Sequence, residues 1–91
     1  MLKDLENLIS QIRERKKNPK ISSYTNKLFN DKKLSIKKVK EEIGELLEAV
    51  EKDTNKIHEA ADVIYHLMVL LEGSGIKIED VMKELNKRKK E

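Results

Sequence analysis

Glu59-Ala60-Ala61-Asp62-Val63-Ile64-Tyr65-His66-Leu67-Met68-Val69-Leu70-Leu71 carries apolar residues at three- and four-residue steps without a proline or glycine, which is the signature of one long helix. Taken back to Ile57, the face made by Ile57, Ala60, Ala61, Ile64, Leu67, Met68 and Leu71 is broad. This helix, from about residue 55 to Leu71 or Glu72, is therefore predicted to be the most buried element. Glu59, Asp62 and His66 stand in line on its edge, because side chains three and four positions apart stack along a helix. Gly73-Ser74-Gly75 closes it, since glycine takes the left-handed conformation of a helix C-terminus without steric cost.

Upstream, Ile36, Val39, Ile43, Leu46, Leu47 and Val50 form a stripe on a second helix, with Ser35 as its candidate N-cap and an end near Lys52. Projected at about 100° per residue, Glu42 and Glu45 lie on one flank of that stripe, and Glu41 and Glu48 lie farther toward solvent. Asp53-Thr54-Asn55 breaks the chain and recaps the next helix. Packed side by side, the two helices would gather Glu42, Glu45, Glu59 and Asp62 as four hard oxygen donors. Mg²⁺ accepts such a set, because it wants octahedral oxygen coordination and keeps positions open for water and phosphates. A chain in which 41% of residues are charged also places Glu pairs on solvated faces without purpose, so spacing alone leaves both readings open.

Leu2, Leu5, Leu8, Ile9 and Ile12 predict an amphipathic helix from about residue 2 to 17, ended by Pro19. Ser22 or Ser23 can cap a short helix through Phe29 or Asn30, followed by an Asn30-Asp31-Lys32-Lys33 turn. A last helix from about Ile78 is predicted to bury Ile78, Val81, Met82 and Leu85, with Lys87-Arg88-Lys89-Lys90 at its negative dipole end. The chain thus reads as all-α, with about five helices and one domain over residues 1–91.

A single domain of 91 residues without cysteine has little core and no disulfide to supplement it, so oligomerisation, most simply a homodimer, is expected. A net charge of +3 with 3% aromatic residues supplies no basic, aromatic-interleaved surface for nucleic acid, and none is expected as partner. Met1-Leu2-Lys3-Asp4-Leu5-Glu6 is no signal peptide, and no segment is long enough to span a bilayer. A cytoplasmic protein without membrane contact is expected.

Ser23-Tyr24-Thr25 with Leu28, the Lys38-to-Leu46 stretch around Glu41-Glu42-Ile43-Gly44-Glu45, the Glu59-to-Leu71 stretch with its Tyr65-His66 pair, and Gly75-to-Val81 with Glu84-Leu85 occur in that order. Together they resemble the phosphoribosyl-ATP pyrophosphatases, the histidine-biosynthesis branch of the MazG-like nucleotide pyrophosphohydrolases. The resemblance implies a MazG-like bundle whose four-helix core is completed by dimerisation. It also implies Mg²⁺-dependent hydrolysis of the α–β phosphoanhydride of 1-(5-phosphoribosyl)-ATP, the second step of histidine biosynthesis. Glu42, Glu45, Glu59 and Asp62 become the metal ligands. Glu41 becomes the general base or a second-metal ligand, with a solvated helix glutamate as the alternative. Ser23, Tyr24, Thr25, Lys38 and His66 fall on the substrate side, although Ser23 can equally be a helix cap, Tyr24 a packed aromatic and Lys38 a partner of Glu42. His66 fits better as a supporting residue or dimer contact than as a direct ligand.

The chain departs from the family at Lys40, Ile43, His58 and Lys77, where a glycine, a small residue, a glutamate and a Ser or Thr cap are usual. Ile43 bears on how closely the carboxylate helix approaches its neighbour. Two other readings use the same residues: a house-cleaning nucleoside triphosphate pyrophosphatase acting on dUTP or a similar nucleotide, and a non-catalytic helical adaptor. The Tyr65-His66 pair and the Ser23-Tyr24-Thr25 block weigh against the first.

Overall fold

The computed structural model describes residues 2–89, so Met1, Lys90 and Glu91 lie outside the described residues. Five helices follow one another: α1 Lys3–Lys17, α2 Tyr24–Phe29, α3 Lys32–Lys52, α4 Lys56–Gly73 and α5 Ile78–Lys87. Among the described residues there is no strand. Ser23 caps α2 by accepting from the Asn26 amide. The start of α3 differs from the expectation. Asp31, not Ser35, is the N-cap, its carboxylate accepting from the Leu34 amide at 3.0 Å, and Ser35 is buried inside the helix. A carboxylate there satisfies a free amide and also complements the positive end of the helix dipole, so the turn tightens and the helix starts early.

Asp53 ends α3 in the left-handed region, at φ 57°, a conformation Asp and Asn tolerate better than other non-glycine residues. Asn55 stands at the N-cap of α4 without a side-chain capping bond. The expected recapping is therefore positional only, and Lys56 pairs back to Asp53 instead. The turn after α4 needs Gly75, at φ 75°, where its amide and that of Ile76 return to the carbonyls of Glu72 and Leu71. Gly73 serves a different purpose, since a Cβ there would lie 3.0 Å from the Phe29 ring.

α3 and α4 form a hairpin, and α4 is the central element, packing also against α1, α2 and α5. The core is Ile9 and Ile12 of α1, Leu28 of α2, and Met68 and Val69 of α4. Leu28 is 1% exposed, and full burial of such a side chain is worth about 1.5–3 kcal/mol.

The apolar stripes do not all turn inward as predicted. The seam of α3 against its neighbours runs through Ser35, Val39, Glu42 and Ala49, while Ile36, Ile43, Leu47 and Val50 are exposed. On α4 only His66, Met68 and Val69 are buried, and Ile57 and Ile64 face outward. Both helices are apolar on more than one side, and a bundle of this size covers only one. In α5, Ile78 and Val81 are half-buried, but Met82 and Leu85 are exposed. Ile78 alone of the four joins the packing around the core.

With no fully buried residue, α5 depends on polar ties. Arg13 donates from Nε to Glu72 at 2.9 Å and from both terminal nitrogens to Glu79 at 2.9 and 2.6 Å. Lys16 donates to the Glu72 carbonyl. The Arg13 guanidinium, helped by the Glu79 backbone amide, pushes the Glu79 carboxyl down to about 2. Because that value is depressed, the pair's stabilisation is present above the ordinary carboxylate range and is lost only as pH falls toward about 2. Solvent screens a half-exposed pair of this kind, so its contribution is small and local. Arg13→Met is therefore expected to speed amide exchange in α5 by roughly fivefold and to leave α3 unchanged. Uniform acceleration in every helix would show that the pair supports the whole fold instead.

Candidate functional site

The hairpin brings together the four residues singled out as metal ligands. Glu42 and Glu45 from α3 and Glu59 from α4 place one oxygen each within 4.8 Å of one another. Asp62 lies close enough for its charge to act on Glu42. Glu42 is 7% exposed, and its Oε2, like Oε2 of Glu59, is buried without a hydrogen-bond partner. Burial first, and then the neighbouring Glu45 carboxyl, pushes the pKa of both Glu42 and Glu59 upward. Two desolvated oxygens facing further carboxylates cost free energy that a bare helix surface would not accept. A divalent cation would supply the missing partner, and the chemistry of the donor set fits Mg²⁺. Ile43 does not obstruct the approach of α3 to α4, because its side chain is exposed.

Residue by residue, the other candidates fall into three groups. Glu41 is exposed and outside the three-carboxylate group; its carboxylate lies 3.2 Å from Lys38 Nζ, which is 3.9 Å from Glu42. The hydrogen bond to Glu41 raises the Lys38 pKa, keeping a cation at the rim of the cluster. Ser23 is engaged as the α2 cap. Tyr24 and Thr25 meet α4 as a pair: the Tyr24 hydroxyl is 3.0 Å from His66 Nε2, and the Thr25 hydroxyl bonds to that of Tyr65. Two consecutive residues of α2 thus engage two consecutive residues of α4. The two sequence blocks that weigh against the house-cleaning reading are in contact.

His58 was not among the expected site residues. Its Nε2 is 3.3 Å from Asp62 Oδ2 and 4.0 Å from Glu59 Oε1, and it makes a second three-donor group with them. The available signal was its position four residues before Asp62 and beside Glu59. Against the carboxylates opens a cleft of about 240 Å³, lined by Glu45, Glu48, Lys52, Thr54, Asn55 and Glu59 among others. A larger cleft of about 510 Å³ lies by α1 and the start of α5, but its Arg13, Glu72 and Glu79 are occupied with one another.

Comparison with known proteins gives the family. The family model for phosphoribosyl-ATP pyrophosphohydrolase matches residues 5–89. The phosphoribosyl-ATP pyrophosphatase of Clostridium novyi is 48% identical across 94% of this chain and 81% of its own. That of Clostridium acetobutylicum is 50% identical across 92% and 79%. The histidine biosynthesis bifunctional protein of Pyrococcus furiosus is 45% identical across 99% of this chain and 42% of its own length. With matches that span nearly all of the five-helix fold and its carboxylate hairpin, the chain belongs to the phosphoribosyl-ATP pyrophosphohydrolase family.

Proposed function

We propose that the protein hydrolyses 1-(5-phosphoribosyl)-ATP to 1-(5-phosphoribosyl)-AMP and pyrophosphate, acting in the cytoplasm as a homodimer with Mg²⁺ held by Glu42, Glu45, Glu59 and Asp62. The observation that carries this reading is the pair of buried, unpartnered oxygens on Glu42 and Glu59 in a chain of this family. When bound, the ion neutralises phosphate oxygens and makes a water molecule more acidic. The remaining work falls to the chain's own groups.

Glu41, exposed beside Glu42, serves as the base that takes a proton from the attacking water as its oxygen bonds to the α-phosphorus, the bridging P–O bond breaks and that bond's electron pair leaves with pyrophosphate. Lys38 holds a phosphate from the rim, and Tyr24 and Thr25, fixed against α4, hold the sugar side. Among the described residues no helix is long and apolar enough to cross a membrane, which accords with a water-soluble substrate. An adaptor would have no use for carboxylates buried without partners, which weighs against the non-catalytic reading.

The test is a substrate panel: phosphoribosyl-ATP beside ATP, dUTP and other ordinary nucleotides, scored by pyrophosphate release. Selectivity for the first is expected, whereas preference for dUTP would move the chain to the house-cleaning class. Lys38→Ala is expected to raise KM about tenfold with kcat little changed, because an interaction equal in ground and transition states has that signature. A severe fall in kcat at unchanged KM would place Lys38 in the transition state.

A further inference from the structure

His66 Nδ1 lies 2.8 Å from the backbone carbonyl oxygen of Asp62. A carbonyl only accepts, so Nδ1 must carry the ring proton. In the neutral imidazole Nε2 is then a bare lone pair, and the group 3.0 Å from it is the Tyr24 hydroxyl. That hydroxyl has one proton, and it must donate it to His66. Neither ring is free to change the arrangement. His66 is 6% exposed and lies edge-on to both Tyr24 and Tyr65, while the Thr25–Tyr65 bond pins the next residue of each helix.

Tyr24, in contrast, is 44% exposed. With its proton committed inward, it offers only oxygen lone pairs to anything arriving from solvent. Burial pushes its pKa up while the Lys38 charge pulls it down, so the phenol keeps its proton, and the same cation is held at the rim of the carboxylates by Glu41 and Glu42. A phosphate oxygen, which has nothing to donate, gains nothing from such a hydroxyl. It would go to Lys38.

We infer that His66 is a positioning residue that fixes Tyr24 as a hydrogen-bond acceptor, so that Tyr24 reads a ribose hydroxyl next to a phosphate held by Lys38. The inference rests on the proposed reaction for its substrate class, but the ring proton itself does not. The site is thereby a selector for ribo over deoxyribo compounds.

The test has two arms. Nitrogen NMR of the His66 ring in the free protein is expected to show the proton on Nδ1, with the Nε2 resonance shifting in Tyr24→Phe as its donor is removed. In the second arm AMP, 2′-deoxy-AMP and 3′-deoxy-AMP are titrated against wild type and Tyr24→Phe. Wild type is expected to bind one of the deoxy compounds about tenfold more weakly than AMP, the loss that goes with one hydrogen bond, and Tyr24→Phe is expected to bind AMP and that compound alike. Tyr24→Phe removes a single oxygen from a half-exposed ring, and its spectrum reports whether it is folded. A proton on Nε2, no binding of AMP, or discrimination unchanged in Tyr24→Phe would each overturn the inference. If wild type instead fails to hydrolyse phosphoribosyl-ATP while the ring spectrum is as expected, the functional reading falls and the polarity of Tyr24 stands.

Discussion

Glu42→Gln is expected to lose more than about 100-fold in turnover, beyond the 10- to 100-fold that loss of a metal's outer-shell partner costs, and to melt higher than wild type in metal-free buffer. The two effects have one cause. Glu42 is buried with an unpartnered oxygen, and its pKa is raised by burial, then by Glu45 and by Asp62. A carboxyl with a raised folded-state pKa contributes its stability below the unfolded carboxylate range and loses it as pH climbs through the raised value. Metal-free wild type therefore gains stability on acidification from neutrality toward the carboxylate range, and Glu42→Gln lacks that part of the gain. Relief of the crowded charge is expected to be worth about 1 kcal/mol, which in a domain of this size moves Tm by about 4–8 °C. Glu59→Gln is expected to lose turnover and to shift the metal-free pH dependence in the same direction, because its carboxyl pKa is also raised by burial and by Glu45. A Glu42→Gln protein that keeps its activity, or that melts well below wild type at neutral pH without metal, would remove the carboxylate cluster from the account.

Leu47→Glu is expected to turn a homodimer into an inactive monomer. Leu47 is 61% exposed in the single chain, where a polar substitution changes stability by no more than about 0.5 kcal/mol. Any large effect must then come from a partner. Ile36, Ile43 and Val50 share that outward stripe and Ile57 and Ile64 are exposed on α4, leaving apolar side chains of both helices for a partner to cover. Gly44 is set in the same region with nothing within 4 Å of where a side chain would begin. A mid-helix glycine costs about 1 kcal/mol relative to alanine, and close approach of a second chain would offset that. Sedimentation at micromolar concentration is expected to give twice the 10.6 kDa chain mass for wild type and the single mass for Leu47→Glu. A wild-type monomer with full activity contradicts both the dimer and any site shared across it.

The helices and the carboxylate pairing were legible because both rest on short-range periodicity. Glu42 and Glu45 repeat at the helical step, as do Glu59 and Asp62, and a three-residue break between the helices forces them side by side. What the sequence did not reveal is which side of a two-sided helix turns inward. The Ile36-to-Val50 stripe reads as a core face, yet α4 packs on the face of Ser35, Val39 and Glu42, because the buried side is chosen by the neighbour and not by hydrophobicity alone. The N-cap at Asp31 was missed for a local reason, two good caps lying four residues apart. The contact of Tyr24 with His66 joins residues 42 positions apart. No local pattern encodes such a meeting, and the family resemblance assigned both residues to the substrate side without joining them.

The α3–α4 carboxylates are proposed as a divalent-cation site for phosphoanhydride hydrolysis. Pyrophosphate release from phosphoribosyl-ATP, followed as Mg²⁺ is titrated into chelator-treated wild-type protein, tests it most directly. The expected result is no turnover without the ion and saturable recovery with it, absent in Glu42→Gln at every concentration. Turnover that is indifferent to chelation, or a Glu42→Gln protein with the wild-type Mg²⁺ dependence, would contradict it.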